Sequence, residues 1–309
     1  MAYRFSQEDG SVARGMRRVA GEQVDRALAA IAAARKDPAC EARTVHEVRK
    51  SCKKLRALVR LVRPSLAGHR EADALFAELA GGLAGSRDAH IVLTSFDRLT
   101  DRARGRDVPA GLPALRAALE ARLGAAGTTD VPGERVVRVA LEQAGDRLAE
   151  SHRRIARWHL SHEGWDALGK GVERTLVKAR RAHARLAAEP APEARHELRK
   201  RLKYNWYHTR LLVPLWPGAF RARAACLSQV ADDLGEHHDL FVMCGHVRAV
   251  ASAGGKESRE VAGYVLHRSE RRQRKLERRC DPDIARLLVR KPSGLANDWG
   301  RLWPIAMDR

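Results

Sequence analysis

A chain of 309 residues, 44% of them hydrophobic, can bury a large core as one large domain or two ordinary ones. Its 58 Lys and Arg residues against 38 Asp and Glu give a net charge of +20, which favours a polyanionic partner: nucleic acid, an anionic membrane or a phosphate polymer. The five cysteines are scattered, which argues against a disulfide framework and a zinc site. The N-terminus has no leader pattern, and no run approaches the roughly 18 apolar residues that a membrane-spanning helix needs. We therefore expect a soluble, cytoplasmic protein.

Helical periodicity dominates the chain. Ala, Leu and Arg are abundant, and no stretch shows the alternation of a β-strand, so we predict an all-α fold. In the first half, helices are predicted at 10–36, 43–63, 66–103 and 134–159, with a short extra helix near 112–125. In the second half they are predicted at 165–188, 193–213, 218–252 and 258–279, with prolines at several boundaries.

A motif in the second predicted helix returns in the second half of the chain. VHEVRKSCKK at 45–54 matches RHELRKRLKY at 195–204, an offset of 150 residues that also pairs Arg60 with Arg210. Farther on, LAGSRDAHIV at 83–92 resembles LGEHHDLFVM at 234–243, which pairs Asp88 with Asp239. A unit of about 150 residues has therefore been duplicated. We predict one four-helix unit at 1–160, a second at 161–280 and a C-terminal tail at 281–309.

The repeated motif places basic side chains along one face of a helix. At 100° per residue, four of them lie within roughly 60° of His46 over about 21 Å: Arg49, Lys50, Lys53 and Arg60. Such a face is ordinarily a solvated surface. Here it contains no carboxylate, recurs with the same residue types, and opens with a histidine in both copies. A phosphate ligand accounts for all three features, because Arg, Lys and His all donate to phosphate oxygens.

The paired H-E-[VL]-R-K-x-x-K segments, each followed by an L-x(4)-D segment, resemble those of the CHAD domain (conserved histidine α-helical domain). The resemblance runs from about Tyr3 to about Arg279. It implies two pseudo-symmetric four-helix bundles whose motif helices line a basic surface or channel. It also implies inorganic polyphosphate as the ligand and association with polyphosphate granules. The E-x-E-x-K strand of the CYTH domain, which often accompanies CHAD, has no counterpart here, so we expect a stand-alone module that needs no cofactor and is not an enzyme.

The resemblance assigns ligand contacts residue by residue. The expected polyphosphate contacts are His46, Arg49, Lys50, Lys53, Lys54, Arg56 and Arg60 in the first unit, and His196, Arg199, Lys200, Lys203 and Arg210 in the second. A looser match between the starts of the units adds Arg14, Arg18, Arg174 and Lys178 as secondary anion contacts. Because Trp206 stands where the first unit has Arg56, the second stripe is expected to bind more weakly or to grip differently.

Acidic residues near the motifs have more than one interpretation. Asp88 and Asp239 either orient a motif Arg or His or form an interhelix ion pair. Glu47 and Glu197 are expected to pair with basic residues of a neighbouring helix rather than act as general bases. No metal site is expected, because the His-Asp dipeptide at 238–239 is Arg-Asp in the first unit.

Two other functions stay open at this point. Nucleic-acid binding suits the charge, but aromatic residues make up only 5% of the chain, few for the stacking platforms of single-strand binders. A polyphosphate-processing enzyme would need metal-binding carboxylates beside the stripe. The basic run HRSERRQRKLERR at 267–279 either extends an anion groove or is a solvated face. Contacts through His46 and His196 predict an affinity that rises as the pH falls through about 6.5.

Overall fold

The computed structural model of the chain describes residues 3–37, 40–83, 88–101, 108–124 and 134–307, with the backbone alone for 88–90, 134 and 135. Over these residues the fold is all-α, as predicted, and the single β-type pairing is an isolated bridge between Leu66 and Leu160. The α-helices are α1 (Val12–Lys36), α2 (Glu41–Val62), α3 (His69–Gly82), α4 (Asp88–Thr100), α5 (Leu112–Leu123), α6 (Glu134–Ala156), α7 (Gly169–Ala188), α8 (Pro192–Leu211), α9 (Pro217–Ala253), α10 (Lys256–Leu288) and α11 (Pro292–Met307).

Helix starts follow local chemistry. α1 begins after Ser11, whose hydroxyl accepts a hydrogen bond from the backbone N–H of Arg14 at 3.1 Å. α8 and α9 begin at Pro192 and Pro217, where the missing N–H has no helical partner to lose. The predicted helix at 66–103 corresponds to α3 and α4, and residues 84–87 between them lie outside the described part of the chain. α10 continues through residue 281, where the sequence places the start of a tail.

The apolar core crosses the boundary between the two halves of the chain. α4 and α5 pack against α9 and α10, where Val92 and Phe96 of α4 share a core with Met243 and Val247 of α9. A second core joins α7, α8, α9 and α10. The largest core joins α1, α2, α3 and α6 to the ends of α7 and α8 and to α11. The division into separate four-helix units therefore stays a prediction, and the halves bury apolar surface together.

The two motif helices, α2 and α8, cross each other. His208 of α8 makes a hydrogen bond of 2.8 Å with the backbone oxygen of Ala57 in α2. On one side of the crossing the Arg60 guanidinium lies 4.3 Å from the centre of the Tyr204 ring. On the other side Arg210 lies close enough to Lys54 to help lower its pKa. The 150-residue offset maps each of these two contacts onto the other, as an antiparallel crossing of two copies requires.

A glycine permits the closest approach between α2 and α7. A β-carbon added to Gly171 would lie 1.8 Å from the backbone oxygen of Leu61, far inside any allowed contact. The backbones of the two helices therefore touch at this point.

Candidate anion-binding site

The basic stripe of α2 divides into two halves with different surroundings. In the N-terminal half His46 and Lys53 are exposed, and Lys50 forms an ion pair of 3.2 Å with Glu47 one turn away. In the C-terminal half Arg56 and Arg60 face α3 and donate to Asp73. The carboxylate that the stripe lacks in sequence is therefore supplied by another helix.

Asp73 holds both arginines at once. Its Oδ1 accepts from the Nε atoms of Arg56 and Arg60, both at 3.0 Å, and its Oδ2 accepts from Nη2 of Arg60 at 2.8 Å. Burial opposes ionisation of Asp73, but the hydrogen bonds from the two guanidinium groups outweigh it and lower the pKa of this carboxyl. The like-charge repulsion at this end of the stripe is thus compensated within the fold.

Lys54 is placed differently from the other expected contacts. Only 3% of it is exposed, and its ammonium group donates to Oε1 of Gln23 at 2.9 Å. The ring of Tyr3 covers it, with Nζ 5.4 Å from the ring centre. Burial and the neighbouring charges of Arg26 and Arg210 lower the pKa of Lys54 to about 8. Lys54 is therefore part of the protein interior, where a polymer in solvent does not reach it.

Aromatic rings hold part of the second stripe, on α8. Lys203 lies 4.6 Å from the centre of the Trp206 ring, and the Arg210 guanidinium lies 4.9 Å from it. Arg210 also lies 5.7 Å from the ring of Tyr3. Trp206, the departure from the first motif, thus contributes a cation–π surface for two basic residues of its own helix. The remaining members lie nearer the start of α8: Lys200 pairs with Glu197 at 2.6 Å and Arg199 donates to the backbone oxygen of Ala231 at 3.2 Å.

His196, which opens the second motif, is partly buried against another histidine. Its ring stacks on that of His238 with centres 4.0 Å apart. Burial, His238 and the cations of Lys200 and Arg199 lower the pKa of His196 to about 4. Protonation of His196 near pH 6.5 is therefore disfavoured in the unliganded protein, and the predicted rise in affinity as the pH falls stays a prediction.

The two motif glutamates pair within their own helix. Glu47 binds Lys50, and Glu197 binds Lys200 and Arg201. The prediction that these glutamates form ion pairs with a neighbouring helix is therefore wrong, because their ion pairs lie within α2 and α8. Arg18 is held by Asp9 at 2.6 Å and by Glu22 at 2.8 Å.

Arg14 is exposed, and neither Arg14 nor Arg18 lines the two grooves described next. The side chain of Asp88 lies outside the described residues.

One groove, here called the α7 groove, lies between α2, α3, α7 and α8 and has a volume of about 450 Å³. Its lining includes Arg60, Arg63, Arg70, Arg174, Lys178 and Arg201, with Asp73 as the carboxylate and Tyr204 as an aromatic ring. Two predicted secondary contacts, Arg174 and Lys178, meet the first stripe here. Burial and then the charges of four arginines, Arg201 foremost, lower the pKa of Lys178. The groove therefore holds an excess of positive charge that the described residues do not neutralise.

A second groove, the α10 groove, lies between α4, α8, α9 and α10 and has a volume of about 860 Å³. Its basic lining is Arg98, Arg199, Arg268, Arg271, Arg272, Arg274, Lys275 and Arg278, and its carboxylates are Asp232, Glu236 and Asp239. Two predicted site residues, Arg199 and Asp239, lie in this groove. The α10 residues were missing from the predicted contacts, although the basic run at 267–279 was singled out. The spacing of Arg271, Lys275 and Arg278 places all three on one face of a helix, and this pattern in the sequence could have identified them.

The described residues contain neither a metal-binding cluster nor a membrane-spanning helix. Within them no group of three or more His, Cys, Asp or Glu side chains is arranged to hold a metal ion. No described helix has both the length and the apolar character needed to cross a bilayer.

Comparisons with known proteins agree with the motif. The sequence profile of the CHAD domain matches residues 18–248, which include both motif helices. The solved structure of PptA from Streptomyces chartreusis has a similar fold, with a TM-score of 0.62 at 15% sequence identity over 85% of this chain and 95% of that one. No protein of curated function matches the sequence closely enough to count as a relative. The chain belongs to the CHAD domain family.

Proposed function

We propose that this protein binds inorganic polyphosphate through its basic helix faces and does not catalyse its turnover. The observation that carries the proposal is the α7 groove, where six Arg and Lys side chains face one carboxylate. That carboxylate, Asp73, is already hydrogen-bonded to two arginines. Phosphate oxygens entering the groove would neutralise the charges that lower the pKa of Lys178. A line of phosphates fits a line of cations better than a single phosphate does.

The lining of the grooves favours a phosphate chain over nucleic acid. Single-strand binders stack bases on free aromatic faces. In the α7 groove the ring of Tyr204 is covered by the Arg60 guanidinium at 4.3 Å. The described lining of the α10 groove includes no Phe, Tyr or Trp. Both grooves therefore offer charge without a stacking platform, which suits a ligand that has no bases.

The placement of the carboxylates supports binding without catalysis. Metal-assisted phosphoryl transfer uses carboxylates that hold metal ions beside the substrate. In the α7 groove Asp73 is engaged by Arg56 and Arg60, and in the α10 groove Glu236 is engaged by Arg272 at 2.6 and 2.7 Å. Both of these carboxylates are already bound to arginines of the protein. The natural consequence of such binding in a cell is recruitment to polyphosphate granules.

A competition experiment tests the proposal. The protein is loaded with labelled long-chain polyphosphate at moderate salt, and single-stranded RNA is titrated at matched phosphate concentration. The groove variant is Arg70→Ala/Arg174→Ala/Lys178→Ala, because all three side chains are exposed and none forms an ion pair with a described residue. The control is Arg153→Ala/Lys291→Ala/Arg301→Ala, which removes three exposed charges that line neither groove.

We expect wild type and control to hold polyphosphate far more tightly than RNA, and the groove variant to lose polyphosphate. Equal competition by RNA would identify the grooves as general cationic surface. Equal binding by the groove and control variants would remove the α7 groove from the site. In cells, a fluorescent fusion of the wild type should collect on polyphosphate granules and the fusion of the groove variant should not.

A further inference from the structure

We infer that α10 forms the wall of a second phosphate-chain subsite, in the α10 groove, which a long polyphosphate occupies together with the α7 groove. The inference rests on the proposed function and adds to it the residues of α10 and a dependence on chain length. α10 begins at Lys256, beyond the residues 18–248 that match the family profile.

Four basic side chains of the α10 groove carry the inference. Arg98, Arg271, Lys275 and Arg278 are all exposed, and none makes a hydrogen bond or ion pair with another described residue. Three of them lie on one face of α10 at positions i, i+4 and i+7, over about 10 Å of helix. Arg98 faces them from α4. Four cations with no partner in the described structure thus surround one groove, and a polyanion is the ligand that would bring them together.

Two other basic residues of the same groove form hydrogen bonds with neighbouring helices. Arg272 binds Glu236 of α9 through two parallel hydrogen bonds of 2.6 and 2.7 Å. Arg268 donates to the backbone oxygen of Leu99 at 3.4 Å. These contacts fasten α10 to α9 and α4. The groove therefore has fixed walls and a separate set of cations directed at its space.

The floor of the α10 groove belongs to the second motif. Arg199 lies against Gly235 of α9, where an added β-carbon would approach its Nη2 to 3.0 Å. Arg201, two residues later on α8, lines the α7 groove instead. Two residues correspond to about 200° of helix, so the two grooves lie on opposite sides of α8. The exposed Lys200 lies between them on the helix surface.

This arrangement makes the site sensitive to chain length. Tripolyphosphate can occupy one groove at a time. A long chain can lie in one groove, pass over α8 near Lys200 and enter the other, so that its second contact is intramolecular. Removing the α10 wall should therefore weaken long chains much more than tripolyphosphate held in the α7 groove.

The test compares Arg271→Ala/Lys275→Ala/Arg278→Ala with the charge-matched control Arg153→Ala/Lys291→Ala/Arg301→Ala. Binding of long-chain polyphosphate and of tripolyphosphate is measured at several salt concentrations, after circular dichroism has shown that both variants keep the helical fold. We expect the α10 variant to lose at least about tenfold in affinity for long chains. Its slope of log K against log salt should be smaller by about 2, because each lost phosphate contact removes roughly 0.7.

The outcomes separate this inference from the proposed function. If the α10 variant binds long chains like the control, with the same salt slope, the subsite does not exist, although wild-type binding still supports the proposed function. If the α10 variant loses tripolyphosphate and long chains by the same factor, the two grooves are not joined by one chain and the inference is overturned. If wild type binds neither ligand, the proposed function fails and the inference fails with it.

Discussion

Replacing Asp73 by Asn should lower stability and raise affinity for polyphosphate in the same molecule. Asp73 lines the α7 groove and is bound to Arg56 and Arg60. The fold needs its charge to offset two arginines, whereas a polyanion in the groove competes with it for the same donors. Asn keeps the shape of the side chain and removes the charge. The two effects therefore have opposite signs.

The size of each effect follows from the contacts. Three hydrogen bonds of 2.8 to 3.0 Å join Asp73 to the two arginines. Hydrogen bonds to charged groups contribute about 1.5–3 kcal/mol each when dry. These groups retain 23–28% exposure and Asn keeps one acceptor, so we expect a loss of about 2 kcal/mol. Removing one negative charge from the groove should strengthen binding by on the order of 1 kcal/mol, about fivefold.

The measurements are urea unfolding followed by circular dichroism and polyphosphate titration at two salt concentrations, all at pH 7. The pKa of Asp73 is lower in the folded than in the unfolded protein. Its contribution to the free energy of unfolding is therefore complete above the unfolded pKa, near 3.9, and is lost only as the pH falls through the folded pKa. Glu78→Gln serves as the control, since Glu78 lies on the same helix in an exposed pair with Arg147. A folded Asp73→Asn variant that binds polyphosphate more weakly than the control would refute the reasoning and make Asp73 an orienting residue.

Three further predictions concern the frame of the site. Gly171→Ala should cost at least about 1–3 kcal/mol in urea unfolding, because its β-carbon would collide with the backbone of α2, and an unchanged midpoint would contradict this contact. Burial lowers the pKa of His208 to about 4. The contribution of neutral His208 to the free energy of unfolding is therefore complete above about pH 6.5 and is lost as the pH falls from there through about 4. Stability should thus drop by up to about 2 kcal/mol between pH 7 and pH 5, and less in His208→Gln, whose unfolding curve at each pH is the check. Lys54→Met should leave polyphosphate affinity unchanged, since Lys54 is buried beside Gln23, and a clear loss in the titration would place it at the ligand.

The sequence was sufficient for the fold class and for the motif helices, because both rest on local periodicity. It was not sufficient for partners supplied from elsewhere in the chain. The helical wheel places Arg60 on the basic face, but Asp73, which binds it, belongs to another helix with no motif of its own. The wheel also leaves Lys54 at the edge of the stripe, and the ring that covers it comes from Tyr3 at the far N-terminus.

Electrostatic surroundings were likewise hidden from the sequence. A histidine opening a basic stripe suggests a group that charges near neutrality. The ring that stacks on His196 is His238, which is distant in sequence, and burial together with that ring lowers the pKa of His196. The basic run of α10 shows the same limit: its composition was visible, and its meaning depended on Arg98 of α4 lying across a groove from it.

The pairing of α4 with α9 has a consequence for the ancestry of the chain. At the offset of the predicted duplication, Val92 of α4 pairs with Met243 of α9 and Phe96 pairs with Val247, and these residues share one core. α2 likewise crosses α8, the helix that carries the matching motif. A single ancestral unit would therefore have presented two self-complementary faces, the condition for a symmetric homodimer. On the predicted duplication, fusion of two such subunits would free each half from that symmetry, and Trp206, which stands where the first motif has Arg56, is one position that departs from it.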